Sequence, residues 1–544
     1  MADPKPKRSV PLPTLNVKKD LKSLMYTSSK KTAPAASTTA SSRLAVPPTT
    51  KSTSAISHTR IGKNGLPVIK SNGARKSATP NRNLSRTSSS EPREIIRNGK
   101  ASRSSRSSPA VHSPQFGPDS DEEDDTEPRR KRRRMNGHAE DKKRKIRDAG
   151  SFSNDDPRPY DIVHALDIAN NTIQKHGTFQ FAEYFTTLAS NEDDSPTIEL
   201  QYPCIGMTEK YQLVKPNDKT DFKPLDEIRE NMKIVREFYL DTDTAEKIEP
   251  EGGFGGGLIE QLDRHARDTR PGAQTHFMEV IQEYNELLAT KRDDGTLIRK
   301  IDEMTSPLPL KLVNHIIKEQ VYSRTISPYI DTVREYEGFS DNVYGELLPK
   351  FLSRIFQETH LTSDHIFVDL GSGVGNCVLQ AALEIGCESW GCEVMANPAK
   401  LAQAAAQEFP SRCRMWGIKP GRVQIIQDDF RTNQQIGDVL KRADVVLVNN
   451  QAFNPDLNDV LKRMFLDLKE GCKIVSLKYF RDPNHKVKES NINDLVNCLS
   501  VQKKERFSGM VSWTDDPGNW YLHIKDSAEL LAVRKRMERG QQGS

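Results

Sequence analysis

The sequence predicts an α/β protein: a doubly wound sheet ending in an antiparallel hairpin, preceded by a mainly helical subdomain and a disordered N-terminal tail. Three observations predict it. A short apolar run, His365 to Val368, ends in Asp369, passes Gly371, Gly373 and Gly375, and enters a helix-like stretch at Cys377. Strand-like and helix-like segments then alternate regularly to Leu477. Charge is also split: residues 1–150 hold 33 Lys and Arg against 14 Asp and Glu, leaving 47 against 61 for the remaining residues. A basic arm on an acidic body points to a polyanionic partner.

Residues 1–155 are rich in Ser, Thr, Pro, Lys and Arg and poor in aromatics. They cannot bury enough apolar surface to offset ordering entropy and are expected to be disordered. Within them an acidic block, 119–127, precedes two basic clusters, Arg129 to Arg134 and Lys142 to Arg147. The pair, 129–147, has the form of a bipartite nuclear import signal and equally of a phosphate-binding patch. Residues 156–214 form an accessory region of uncertain fold with one strand, Ile198 to Tyr202.

Residues 215–340 read as mainly helical. Phe277, Val280, Ile281, Tyr284, Leu287 and Leu288 have the i, i+3, i+4, i+7 spacing of an amphipathic helix over Ala273–Arg292. Another helix is expected over Leu308–Ser323, behind Ser306-Pro307. These look like a platform or lid. Gly252 to Gly257 reads as a flexible loop, since no strand precedes it and no Lys follows.

Residues 341–535 are the expected catalytic core. After a helix near 348–358 and the glycine turn, strands are expected at Ser389–Glu393, Arg422–Gln427, Ala443–Val448 and Cys472–Leu477. Helices are expected near 397–409 and 456–468. Val501–Phe507, Gly509–Thr514 and Trp520–Ile524 close the sheet, the last two as a hairpin around Asp515 to Gly518. Seven scattered cysteines form no C-x-x-C pair, so neither disulfides nor a metal site is expected. No stretch approaches 18 apolar residues, and a soluble, intracellular protein is expected.

A doubly wound sheet binds its ligand at the carboxyl ends of the strands. The G-x-G-x-G turn differs from the dinucleotide G-x-G-x-x-G, and no P-loop Lys follows. Asp369 would repel a pyrophosphate and suits a ligand carrying an amino group and a sulfonium, namely S-adenosylmethionine. Glu393, 24 positions on, stands where such a sheet places the acid for both ribose hydroxyls. Asp429 and Phe430 suit an adenine amino group and ring. Asn449 to Phe453, at the fourth strand end, combines an amide carbonyl with an aromatic ring beside the transferable methyl, as an amine acceptor requires.

Four segments together resemble the disruptor-of-telomeric-silencing family: Tyr344-Gly345-Glu346-Leu347, Val368 to Asn376, Asn449 to Phe453 and Val511-Ser512-Trp513-Thr514. The likeness covers roughly residues 215–535, and the long basic N-terminal arm is similar to that of fungal members. The family comprises non-SET histone lysine methyltransferases of the class I S-adenosylmethionine-dependent fold. The resemblance therefore implies mono- to trimethylation of a globular-core lysine (lysine seventy-nine) of histone H3 in nucleosomes. It further implies a nuclear, monomeric protein with histone H4 and nucleosomal DNA contacts, and roles in telomeric silencing and the DNA-damage checkpoint.

Carried over residue by residue, the cofactor contacts are Tyr344, Gly345, Glu346, Leu347, Phe367, Val368, Asp369, Leu370, Gly371, Ser372, Gly373, Val374, Gly375, Asn376, Glu393, Asp429 and Phe430. The acceptor-lysine channel falls on Asn449, Val475, Trp513, Trp520 and Tyr521, with no metal. Two positions depart from the family pattern: Trp520 stands where a tyrosine is common, and Gln451 where many members have an aromatic. A nucleic-acid base methyltransferase and a non-catalytic chromatin-binding scaffold are the alternatives the residues leave open.

Overall fold

The computed structural model describes residues 140–169, 181–185, 197–219, 221–252, 255–270, 272–333 and 345–542, which all belong to one compact unit. The tail up to residue 139, with Arg129–Arg134, lies outside the described residues, as do Tyr344 and part of the Gly252–Gly257 loop.

After a 3-10 turn (Ala149–Phe152) and a one-turn helix (Ala165–Ala169) come two short antiparallel pairs: β1 (Phe181–Glu183) with β4 (Val214–Pro216), and β2 (Thr197–Gln201) with β3 (Thr208–Gln212). Helices α1 (Pro224–Phe238), α2 (Thr242–Ile248), α3 (Leu258–Arg267) and α4 (Ala273–Asp293) follow. The periodicity of α4 does what it promised: Phe277, Val280, Ile281, Tyr284 and Leu288 are buried. Helix α5 (Leu310–Asn314) continues through π turns over His315–Tyr322. Helix α6 (Pro349–Glu358) leads to the main sheet.

That sheet comprises β5 (Ile366–Leu370), β6 (Glu388–Glu393), β7 (Val423–Gln427), β8 (Val445–Val448), β9 (Lys473–Ser476), β10 (Leu499–Arg506) and β11 (Gly518–Lys525), in the order β10-β11-β9-β8-β5-β6-β7. Strands β5 to β9 pair in parallel, and β11 is antiparallel to both β9 and β10. All four residues of β8 are buried, as covering both faces of a central parallel strand demands. Helices α7 (Asn376–Gln380), α8 (Ala396–Met415) and α9 (Pro455–Met464) fill the crossovers, and α10 (Ala528–Gln542) closes the described chain. The strand order reverses at β5, between β8 and β6, which opens a crevice at their carboxyl ends.

The closing hairpin differs from the expectation in its partners. Gly509–Thr514 is not a strand; β10 pairs directly with β11, Lys504 opposite Trp520, across residues 507–517. Val511 instead makes a single antiparallel bridge to Leu347.

The helical subdomain packs on α8. Trp416 is fully buried there, with ring centroids 5.1 Å from Tyr202 and 5.4 Å from His315, and its Nε1–H donates to Gln320 at 2.8 Å. Beside it lies a buried charge cluster. Glu209 of β3 meets Arg324 at 2.9 Å and Arg412 of α8 at 2.5 Å; Arg324 also meets Glu227 of α1, and Arg412 meets Glu408. Burial alone would raise the Glu209 pKa, but the Arg412 and Arg324 guanidiniums hold it well below the usual carboxylate range.

Order also begins earlier than expected. The second basic cluster, placed in the tail, belongs to a strap along the amino ends of β5, β6 and β7, in which Ile146 is buried while Lys142, Lys143 and Lys145 stay exposed. Asp141 accepts the Ser363 N–H and hydroxyl, at 2.8 and 2.7 Å. The Arg144 guanidinium donates to the carbonyls of Leu383 and Glu384 and passes Gly386, where a Cβ would meet its Nε at 2.6 Å. Ile146 is buried, and its carbonyl accepts Lys419 N–H at 2.7 Å. Carbonyls ending a helix lack partners, and a cationic side chain supplies them.

Candidate active site

Asp369 ends β5, and the chain then turns through Gly371, Gly373 and Gly375 at φ +84°, +55° and +85°, a region that side chains rarely enter. The Gly371 and Ser372 N–H groups both donate to the Cys392 carbonyl, at 2.9 and 3.1 Å, which ties the turn to β6. Glu393 completes the tie: its carboxylate accepts Gly373 N–H at 2.9 Å and Met395 N–H at 2.8 Å. A cavity of about 700 Å³ opens over this turn.

Most of the expected cofactor residues line that cavity: Gly345, Glu346, Leu347, Asp369, Gly371, Ser372, Gly373, Val374, Asn376, Glu393, Asp429 and Phe430. Phe367, Val368 and Leu370 do not. They are fully buried in the sheet, with side chains committed to its two faces. Gly375 does not line it either; its left-handed backbone, at φ +85°, is what the turn into α7 requires.

The acceptor side is more selective. Asn449 lines the cavity, and its Nδ2 donates to the Gly345 carbonyl at 3.0 Å. That bond turns Oδ1 away, buried and without a hydrogen-bond partner among the described residues. Phe453 forms the neighbouring wall. Trp513 lies over Gly345, where a Cβ would come within 2.6 Å of the indole. Val475 and Trp520, expected in the channel, are core residues instead. Val475 is 1% exposed, and Trp520 is fully buried edge-on to Phe351 with its Nε1–H donating to Glu505 O at 3.2 Å. Alternation along β11 therefore puts Tyr521 on the opposite face, where it meets Tyr479 at 5.5 Å. Trp520 and Tyr521 cannot wall one channel together.

Sequence reasoning missed other lining residues, among them Val394, Met395, Cys377 and the start of α9 (Asn454, Asp456, Leu457). It also missed Asn450. This fully buried side chain accepts the Leu477 and Lys478 N–H groups at 3.0 and 2.8 Å and so fixes the loop carrying Asn449. The doubled asparagine at the strand end was the available signal.

Burial pushes the Asp369 carboxyl up to about 7, helped by nearby Glu393 and opposed by the Cys377 thiol; burial likewise raises Glu393. A cationic ligand favours the ionised form. Below about pH 7 binding must displace a proton, so affinity is expected to fall about tenfold per pH unit. For the unliganded protein the sign is opposite: the raised carboxyl favours the folded state at low pH, and this advantage is lost as pH rises toward 7. Calorimetry of S-adenosylmethionine binding from pH 5.5 to 8 checks this; Asp369→Asn should flatten the slope.

The donor set fits S-adenosylmethionine. Ser372 Oγ, Asn376 Oδ1 and Asn449 Oδ1 are buried and lack partners among the described residues, on side chains that line the same cavity as five carboxylates (Glu346, Asp369, Glu393, Asp429 and Asp456) and the Phe430 ring. Buried polar atoms of this kind call for a polar ligand. Sheet order, glycine turn and acids at successive strand ends together define a class I S-adenosylmethionine-dependent methyltransferase.

Residues 322–525 match the model of the family described as histone methylation protein DOT1. Three similar proteins are each named histone-lysine N-methyltransferase, H3 lysine-79 specific. The one from Emericella nidulans is 45% identical over 394 residues, covering 72% of this chain and 75% of its own. That from Aspergillus fumigatus is 46% identical over 411 residues, covering 75% and 78%. That from Gibberella zeae is 41% identical over 453 residues, covering 80% and 86%. The chain belongs to the DOT1 histone methylation family.

Proposed function

We propose that this chain methylates lysine 79 of histone H3 within nucleosomes, using S-adenosylmethionine. The observation that carries this reading is Asn449: it lines the cavity at the strand end, with Nδ2 tied to the Gly345 carbonyl and Oδ1 buried without a hydrogen-bond partner among the described residues. Glu393 would hold the ribose hydroxyls, Asp429 and Phe430 the adenine, and Glu346 with the glycine turn the amino-acid end. Bound there, S-adenosylmethionine supplies a methyl group carried on a positive sulfonium. Asn449 Oδ1 accepts an N–H of the incoming lysine and aims its lone pair, so positioning does most of the work. The Phe453 ring, in the cavity wall beside Asn449, excludes water from the approaching ammonium, which eases loss of its proton. Such a substrate places the protein in the nucleus.

The described body cannot approach DNA by charge alone, so the basic arm is the attachment. Arg144 is taken up by carbonyls of the body, so this role falls first on Arg129–Arg134, with the exposed Lys142, Lys143 and Lys145 beside them. Transfer of labelled methyl to nucleosomes, free histones and free DNA, side by side, tests the reading. Activity confined to nucleosomes is expected; methylation of free DNA or RNA alone would replace it with a nucleic-acid enzyme, and no transfer to any of them with a scaffold. Replacing the six residues 129–134 by Ala should weaken nucleosome binding and reduce its salt slope by up to about five, leaving S-adenosylhomocysteine affinity unchanged.

A further inference from the structure

Glu346 is held from outside the cofactor pocket. Its N–H donates to Ser512 Oγ at 2.9 Å and its carbonyl accepts Ser512 N–H at 3.0 Å. On either side, Leu348 N–H donates to Met510 O at 3.0 Å, Leu347 bridges Val511, and Trp513 covers Gly345. The carboxylate itself receives the hydroxyl of Tyr322, at 3.1 Å, from the end of the π turns in the helical subdomain. Tyr322 is 7% exposed, so this bond is sheltered from water. None of these partners except Gly345 and Leu347 lines the cavity with Glu346.

We propose that Tyr322 and Ser512 are positioning residues for the cofactor, which fix the Glu346 carboxylate and backbone in the orientation that receives the amino-acid end of S-adenosylmethionine. The V-S-W-T segment is then chiefly a clamp on the 345–348 loop rather than a wall of the acceptor channel. Its three backbone and side-chain bonds to that loop are an improvised two-stranded ladder, which explains why residues 509–514 alternate like a strand yet do not join the sheet. The hydroxyl of Tyr322 adds a second constraint, from a separate part of the fold, on the Glu346 carboxylate, which the ladder's bonds do not reach. Asn449 grips the same loop through Gly345, so the loop is held on three sides.

This inference rests on the S-adenosylmethionine reading of the pocket, and binding of S-adenosylhomocysteine separates the two. Should the wild-type protein fail to bind it, the cofactor reading falls before the variants are considered. With binding established, Tyr322→Phe and Ser512→Ala are each expected to weaken it about tenfold, the scale of one hydrogen bond to a charged or sheltered group. The KM for S-adenosylmethionine should rise in step, while kcat at saturating cofactor and the KM for nucleosomes stay within about twofold. Ser512→Thr, which keeps the hydroxyl, should restore most of the affinity. Variants that bind S-adenosylhomocysteine as wild type does, or that lose kcat and thermal stability without a change in affinity, overturn the proposal.

Discussion

Asn449→Ala is expected to lower turnover on nucleosomes by roughly 10² to 10³-fold, the scale of removing one well-placed polar group from a reacting centre. The side chain has two jobs that can be separated. Its Nδ2 ties the 345–348 loop, and its Oδ1 is the unpartnered acceptor. Alanine removes both, so cofactor affinity should also fall, but by only about 1 kcal/mol for the lost neutral hydrogen bond. Asn449→Asp keeps an acceptor while setting a carboxylate oxygen against the Gly345 carbonyl, and should therefore injure the loop more than alanine does. Single-turnover rates at saturating cofactor distinguish the two effects. Unchanged single-turnover rates for the alanine variant would remove Asn449 from the acceptor role.

The largest effect on stability is expected at Glu209. Removing one member of a buried charge cluster leaves its partners uncompensated and costs about 3–5 kcal/mol. Here Glu209→Ala removes the carboxylate that the fully buried Arg324 and Arg412 share, leaving Arg324 to Glu227 and Arg412 to Glu408, and also orphans the Ala165 N–H that Glu209 accepts at 3.0 Å. With about 2.1 cal/mol/K of unfolding entropy per residue over roughly 400 ordered residues, the melting midpoint should drop about 5 °C. Glu209→Gln retains hydrogen bonding without the charge and should fall between the two. Differential scanning calorimetry measures both, and a midpoint within a degree of wild type would show that the cluster contributes nothing net.

What was legible in the sequence shares a single character: it depended on local spacing. Three glycines behind an acid, acids at successive strand ends and the stripe of α4 each follow from periodicities of two or 3.6 residues, and the structure uses them as such. What was illegible depended on register or on distant partners. The parity that sends Trp520 into the core and Tyr521 to the other face is fixed only once β11 pairs with β9, and a one-residue shift would reverse it. Gly509–Thr514 reads as a strand because it forms a ladder, but with a loop more than 160 positions away. Lys142–Arg147 has the same composition whether it meets phosphates or helix carbonyls, so only the fold could tell these apart.

That strap has a mechanical consequence. The carboxyl ends of the strands carry the chemistry, and the arm joins the body at the other end, one strand length or about 17 Å away. The six peptide units between Arg134 and Glu140 span at most about 21 Å. A polyanion captured by the arginines is thus leashed to a fixed point, and its local concentration near the body is set by chain length rather than by affinity. Lengthening that leash should dilute the benefit of capture without altering a single contact, much as a longer rope lowers the odds of a boat resting against its mooring.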